Sequence, residues 1–269
     1  MMEPPTLRES FYSAFGKCQR GLTLIKWLES EYKAASKPAE VVHLTDQSTG
    51  IETVKLIVYP CPPFVPLVIG EIIHNLRNSL DYLISSIVSN ASGRPETRVG
   101  FPFHETKSGF LGSRSGHRLY QLVPDVWDII ENEFPPYRDE GGNAVLWAIN
   151  RLNNNDKHRL LNISNAAGAA AGDVFAPGGG QQSSVWMQTG CGEMILDQGF
   201  NLFPRLEVTS DLVLIEENAL GKVSLFPFLF AAQEICNRVG FRLQGKMFGD
   251  EKDSGELAMG QEPAPDSIN

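Results

Sequence analysis

Residues 66–89 constrain this chain more than any other stretch. There Ile69, Ile72, Ile73, Leu76, Leu80, Leu83, Ile84 and Ile87 recur at helical intervals. The period gathers all eight on one wide face, and such a helix is stable only when other elements cover that face. Pro66 suits the first helical position, where a missing N–H removes no intrahelical bond. Asn90-Ala91-Ser92-Gly93 stops the run. Further segments supply the cover. Residues 7–35 carry Phe11, Phe15, Leu22, Ile25, Trp27 and Leu28 at near-helical spacing, and helices are also expected over 124–133, 143–161 and 227–246. Asn143 is placed to cap the third of these helices and Pro227 to start the fourth. The helices over 7–35, 66–89, 143–161 and 227–246 are expected to pack as one bundle.

Strands fall in two clusters between the helices. Val41, Val42 and Leu44 lead into the turn Asp46-Gln47-Ser48-Thr49-Gly50, and the β-branched run from Ile51 to Tyr59 completes a hairpin. Further strands are expected over 184–188, 193–196 and 206–216. Clustered strands argue for an α+β fold rather than a regular β-α-β alternation. The expected architecture is a helical bundle of four to five helices with a small antiparallel β-sheet, forming a single domain over residues 1–248. Within it, the Gly/Ala-rich residues 165–182 read as a flexible loop, and residues 249–269 as a disordered acidic tail.

The 269 residues include no run of about 18 apolar residues such as a membrane helix needs. Met1-Met2-Glu3-Pro4-Pro5 lacks the basic region and apolar core of a signal peptide, so a cytoplasmic location is expected. The net charge is −9, and the tail carries six acidic residues against Lys252 alone. An acidic body argues against broad grip on duplex DNA, which needs many Lys and Arg contacts to phosphate. It leaves room for a small basic cleft that takes one RNA strand or one nucleotide. Cys18, Cys61, Cys191 and Cys236 are far apart and form no CxxC pair, so they read as isolated thiols rather than a disulfide or zinc framework.

Two polar runs stand out. On the segment 66–89, His74, Arg77, Asn78 and Asp81 fall within about a third of the helix circumference, away from the apolar face. On the segment 143–161, Asn150-Arg151-Leu152-Asn153-Asn154-Asn155-Asp156-Lys157-His158-Arg159 packs four Asn and one Asp into a span where helix propensity disfavours them. Arg151, Asn155 and His158 share one face of it. Each run can be a functional site or a polar network that fixes helix packing, and the two roles are compatible. Two unusual polar clusters are most simply satisfied by meeting each other, with His74, Arg77 and Asp81 near Asn155, Asp156, His158 or Arg159.

The series His74-Asn-Leu-Arg-Asn-Ser-Leu-Asp81, Phe101-Pro-Phe103, Pro136-Tyr137, Leu146-Trp147 and Asn155-Asp-Lys-His-Arg159 resembles a widespread group of bacterial and prophage proteins that has no established activity. A looser resemblance is to the HEPN superfamily of helical-bundle proteins, many of them metal-independent ribonucleases. Their motif is Arg, a polar residue and then His after a short spacer. Arg77-Asn78-Ser79-Leu80-Asp81-Tyr82 matches up to its last place, where Tyr82 replaces His. Arg151 and His158 meet the spacing, but Leu152 replaces the polar residue. In that chemistry Arg stabilises phosphate charge while His moves a proton.

The resemblance implies a HEPN-like RNA-binding or RNA-cleaving protein of a phage-defence or toxin system. Arg77, His158 and His74 would be its catalytic candidates, and Asn78, Asp81, Arg151, Asn155, Asp156 and Arg159 would bind substrate. Because Tyr82 stands at the His position, binding is favoured over cleavage unless His74 or His158 substitutes. The competing expectation is a non-enzymatic interaction protein in which the polar motifs only stabilise the bundle. No cofactor and no metal site are expected. Glu71-x-x-His74 is a single Glu-x-x-His run on a helix, where a di-metal carboxylate bundle needs two. Expected partners are RNA or a nucleotide, with a protein partner or a second copy of the chain as the other class, and no membrane.

Overall fold

The computed structural model describes residues 6–96, 98–157, 161–175, 181–189, 191–198, 206–216 and 221–249. The chain enters α1 (Leu7–Ala35) through a capping box. The Thr6 hydroxyl accepts the Glu9 N–H at 3.3 Å, and the Glu9 carboxylate accepts the Thr6 N–H at 2.8 Å. Two helix-end donors are thereby satisfied reciprocally. A hairpin of β1 (Glu40–Thr45) and β2 (Glu52–Val58) follows, closed at Gly50, whose φ of 71° suits a residue without Cβ.

The apolar segment forms α2 (Phe64–Ser92), and each of its eight expected core residues is at most 2% exposed. The helix begins two residues before Pro66. Proline is tolerated there because first-turn N–H groups lack intrahelical acceptors in any case. Gly93, with φ 70°, ends it in the left-handed cap conformation. Next come the short α3 (Lys107–Ser113), a 3-10 turn at Arg114–Gly116, α4 (Arg118–Leu122) and α5 (Pro124–Glu133). They are pinned by Phe110 stacked on Trp127 with ring centroids 4.8 Å apart. After α6 (Ala144–Asp156) come β3 (Ile163–Phe175), β4 (Gln181–Thr189), β5 (Gly192–Gln198), β6 (Leu206–Glu216), β7 (Gly221–Ser224) and α7 (Leu225–Phe248).

The fold is α+β. Helix α2 lies at its centre, packed against α1, α4, α6 and α7. Gly21 lets α1 approach closely: a Cβ there would lie 2.9 Å from the Leu76 side chain. The strands form two antiparallel sheets rather than one, ordered β1-β2-β5 and β4-β3-β6-β7. Val54, Leu56 and Val58 of β2 bury together with Ala167 of β3 where the sheets meet.

Two expectations need correction. Of the expected loop over 165–182, residues 165–175 lie in β3 and residues 181–182 in β4. Ala166 pairs with Thr189 on one side and Asp211 on the other. Pairing along both edges satisfies the backbone of a stretch whose small side chains give no periodic signal. Residues 176–180 and 250–269 lie outside the described residues. Helix α6 ends at Asp156, five residues before residue 161, on a run of Asn and Asp whose side chains compete with the helical backbone. Cys18 and Cys236 are buried and Cys191 is exposed; all four thiols are free, and burial pushes those of Cys18 and Cys61 up to about 11. Among the described residues, no helix is long and apolar enough to cross a membrane.

Candidate functional site

The polar stripes of α2 and α6 face each other in an antiparallel ladder. Arg77 Nε donates to Asn150 Oδ1 at 3.0 Å. One turn back on α2 and one turn on along α6, His74 Nδ1 lies 3.2 Å from Asn153 Oδ1. A turn further, Asp156 lies against Gly70, where a Cβ would sit 2.5 Å from both carboxylate oxygens. Positions 77, 74 and 70 thus oppose 150, 153 and 156, a match that follows from the three-and-four spacing of two helices running in opposite directions.

Two of the rungs are held from behind. Arg77 forms an ion pair with Asp81 one turn along α2, and its guanidinium carbon lies 4.4 Å from the centre of the Phe103 ring. Its side chain is 16% exposed. Asp81 Oδ1 also accepts the Phe101 N–H at 2.8 Å. Gly100 makes that approach practicable, since a Cβ there would fall 2.4 Å from the same oxygen. The Phe101-Pro102-Phe103 segment is therefore tied to α2 by a carboxylate and a stacked guanidinium.

His74 is exposed, but both ring nitrogens are engaged. Nδ1 faces the Asn153 oxygen, and Nε2 lies 2.8 Å from the Asn78 amide nitrogen. With these amide orientations the imidazole carries its proton on Nδ1 and accepts at Nε2. Asn153 is 5% exposed, so its oxygen needs that donor.

Two expected site residues are less committed. Burial raises the Asp156 carboxyl above the usual carboxylate range, an effect that His74 partly offsets, and among the described residues no hydrogen bond or ion pair reaches it. Arg151, beside Asn150 on α6, is half-buried, and its Nε is buried without a hydrogen-bond partner among the described residues. Asn155 is half-buried on the same helix. His158 and Arg159 lie outside the described residues. The spacing signal misses Asn150, Asn153, Gly70 and Gly100; the first two belong to a run that is polar on several faces at once.

The HEPN-like pairing has a specific geometry here. Arg77 turns into the α2–α6 seam, whereas Tyr82, five residues on, is 43% exposed. The two side chains leave the helix about 140° apart. Glu71 is occupied by Arg20 at 3.2 Å, and among the described residues no three His, Cys, Asp or Glu side chains converge as metal ligands. Comparison with family models, curated proteins and solved structures gives no match to the chain.

Proposed function

We propose that this chain is a non-enzymatic interaction protein and that the α2–α6 polar ladder is its packing device. The observation that carries this reading is Arg77: its side chain is 16% exposed, ion-paired to Asp81, bonded to Asn150 and stacked on Phe103. A phosphate-stabilising Arg needs donors free to meet the anion. A proton-moving His must reach the substrate with one ring nitrogen, and those of His74 are turned to Asn153 and Asn78.

The deciding experiment pairs Arg77→Ala with an RNA cleavage assay. Removing one partner of a mostly buried pair costs about 3 kcal/mol, which for a domain of this size lowers Tm by about 6 to 12 °C. The packing reading expects that fall, and no cleavage by the parent. Cleavage by the parent without added metal, lost in an Arg77→Ala variant of parental Tm, would overturn it.

The HEPN-like reading, RNA binding with or without cleavage, is the second proposal. It is favoured by Arg151, a half-buried cation beside Asn150 of the ladder, whose buried Nε has no hydrogen-bond partner among the described residues. In that reading Arg151 and the exposed edge of His74 meet phosphate while Arg77 and Asp81 hold the helix beneath them.

A further inference from the structure

Remote from the ladder, a cavity of about 400 Å³ opens where the end of α1, the β1–β2 hairpin, β3, β6 and the start of α7 converge. It shares no residue with the α2–α6 seam, so it stands whichever reading of that seam holds. Its size falls within the range of about 300 to 1,000 Å³ typical of small-ligand sites. Tyr32, Tyr59 and Phe226 supply aromatic wall.

Asn165 lines the same cavity and is 5% exposed. Its oxygen accepts the Tyr32 hydroxyl at 2.8 Å, and its amide nitrogen donates to the Tyr59 carbonyl at 2.8 Å. An Asn side chain has two N–H donors and two lone pairs, so among the described residues one donor and one acceptor remain. That pair complements the donor–acceptor edge of a nucleobase, as Asn does when it pairs with adenine.

The mouth supplies the rest of a nucleotide's requirements. Lys33 and Lys37 line it, paired with Glu29 at 2.9 Å and Glu40 at 3.7 Å, and the Lys37 ammonium also lies 3.7 Å from the centre of the Tyr59 ring. Exposed pairs of this kind are weak, and a phosphate is a stronger partner for the two ammonium groups. Asp211, exposed at the rim, is the one carboxylate in the lining among the described residues, and carboxylates hydrogen-bond ribose hydroxyls. We infer that this cavity binds a free nucleoside monophosphate, with its base at Asn165 against the aromatic wall and its phosphate at Lys33 and Lys37. The net charge of −9 argues for the free nucleotide over a polynucleotide, whose many phosphates need a basic surface.

Calorimetric titration of the full chain with AMP, GMP, CMP and UMP tests this, with the matching nucleosides alongside. At least one nucleotide should bind, about tenfold more tightly than its nucleoside, the difference that charge-assisted phosphate contacts at an open mouth supply. In the Lys33→Gln/Lys37→Gln double variant, whose changes are at the surface, the nucleotide should weaken to the nucleoside's level while Tm holds. Ser36→Trp, which fills the mouth, should abolish binding of both. Failure of all four nucleotides to bind at millimolar concentration overturns the inference. So does binding that survives the lysine variant and Ser36→Trp unchanged, because the ligand then sits elsewhere.

Discussion

Gly70 has no side chain where Asp156 needs the room. A Cβ at position 70 would come within 2.5 Å of both carboxylate oxygens, so Gly70→Ala alone forces Asp156 out of its rung and should lower Tm. On an Asp156→Ala background the clash is gone, and Gly→Ala in a helix interior contributes about 0.5 to 1 kcal/mol of stability. A double-mutant cycle should therefore change sign: destabilising alone, stabilising in the double variant. Additivity in thermal denaturation would mean that the two residues do not touch. Asp156 also carries a pH signature. Its carboxyl is raised by burial, so the folded state holds the proton to higher pH than the unfolded chain, whose carboxylate titrates near about 3.9. Stability contributed by the protonated form is present below that value and is lost as pH climbs through the raised folded one. Asp156→Asn should raise Tm at pH 7 and leave it nearly unchanged at pH 3; an equal gain at both values would separate the effect from ionisation.

Elements were legible to the degree that their signal is local. The face of α2 could be read directly because eight apolar residues repeat on one period. Helix α6 was legible in its start at Asn143 but not in its end, because Asn and Asp weaken a helix without fixing where it stops. The meeting of the two polar stripes could be anticipated from their chemistry. Which residues form the rungs could not, since Asn150, Asn153 and Asn155 differ in angle around the helix and only the antiparallel packing selects among them. Strand β3 was hidden because its stability lies in pairing with β4 and β6, partners remote in sequence. Ala167→Pro tests that assignment. Ala167 pairs with Gln188 and Ser210 in the interior of a sheet, where Pro removes a ladder donor. Each backbone group left unpaired there costs about 1 to 3 kcal/mol, so Tm should fall by several degrees; a neutral result would return this stretch to the loop class.

At the scale of the whole molecule, charge and topology decide how far a nuclease reading can extend. With a net charge of −9, any RNA affinity must come from a local cluster of cations. On the seam, Arg77 is neutralised by Asp81, which among the described residues leaves Arg151 as the principal cation, with Lys157 at the end of the same helix. Arg138, stacked over Trp147 at 5.3 Å, lies by the turn of α6 that precedes Arg151. If this edge binds single-stranded RNA, the logarithm of affinity should fall with the logarithm of salt by about 0.7 per phosphate contacted. Arg151→Glu should then remove most of the binding without a large change in Tm. The packing reading expects no measurable binding at 0.15 M salt in either protein. Tyr82→His makes the sharper comparison. In a lapsed HEPN ribonuclease, restoring the motif His would raise cleavage, but here position 82 opens to solvent while Arg77 points into the seam, and the new imidazole would have no arginine to act with. The variant should be folded, with a Tm close to that of the parent, and inactive on a fluorogenic RNA substrate. Metal-independent cleavage gained in Tyr82→His and absent after adding Arg77→Ala would mean that Arg77 leaves the ladder to work, and the packing account of α2 would fall with it.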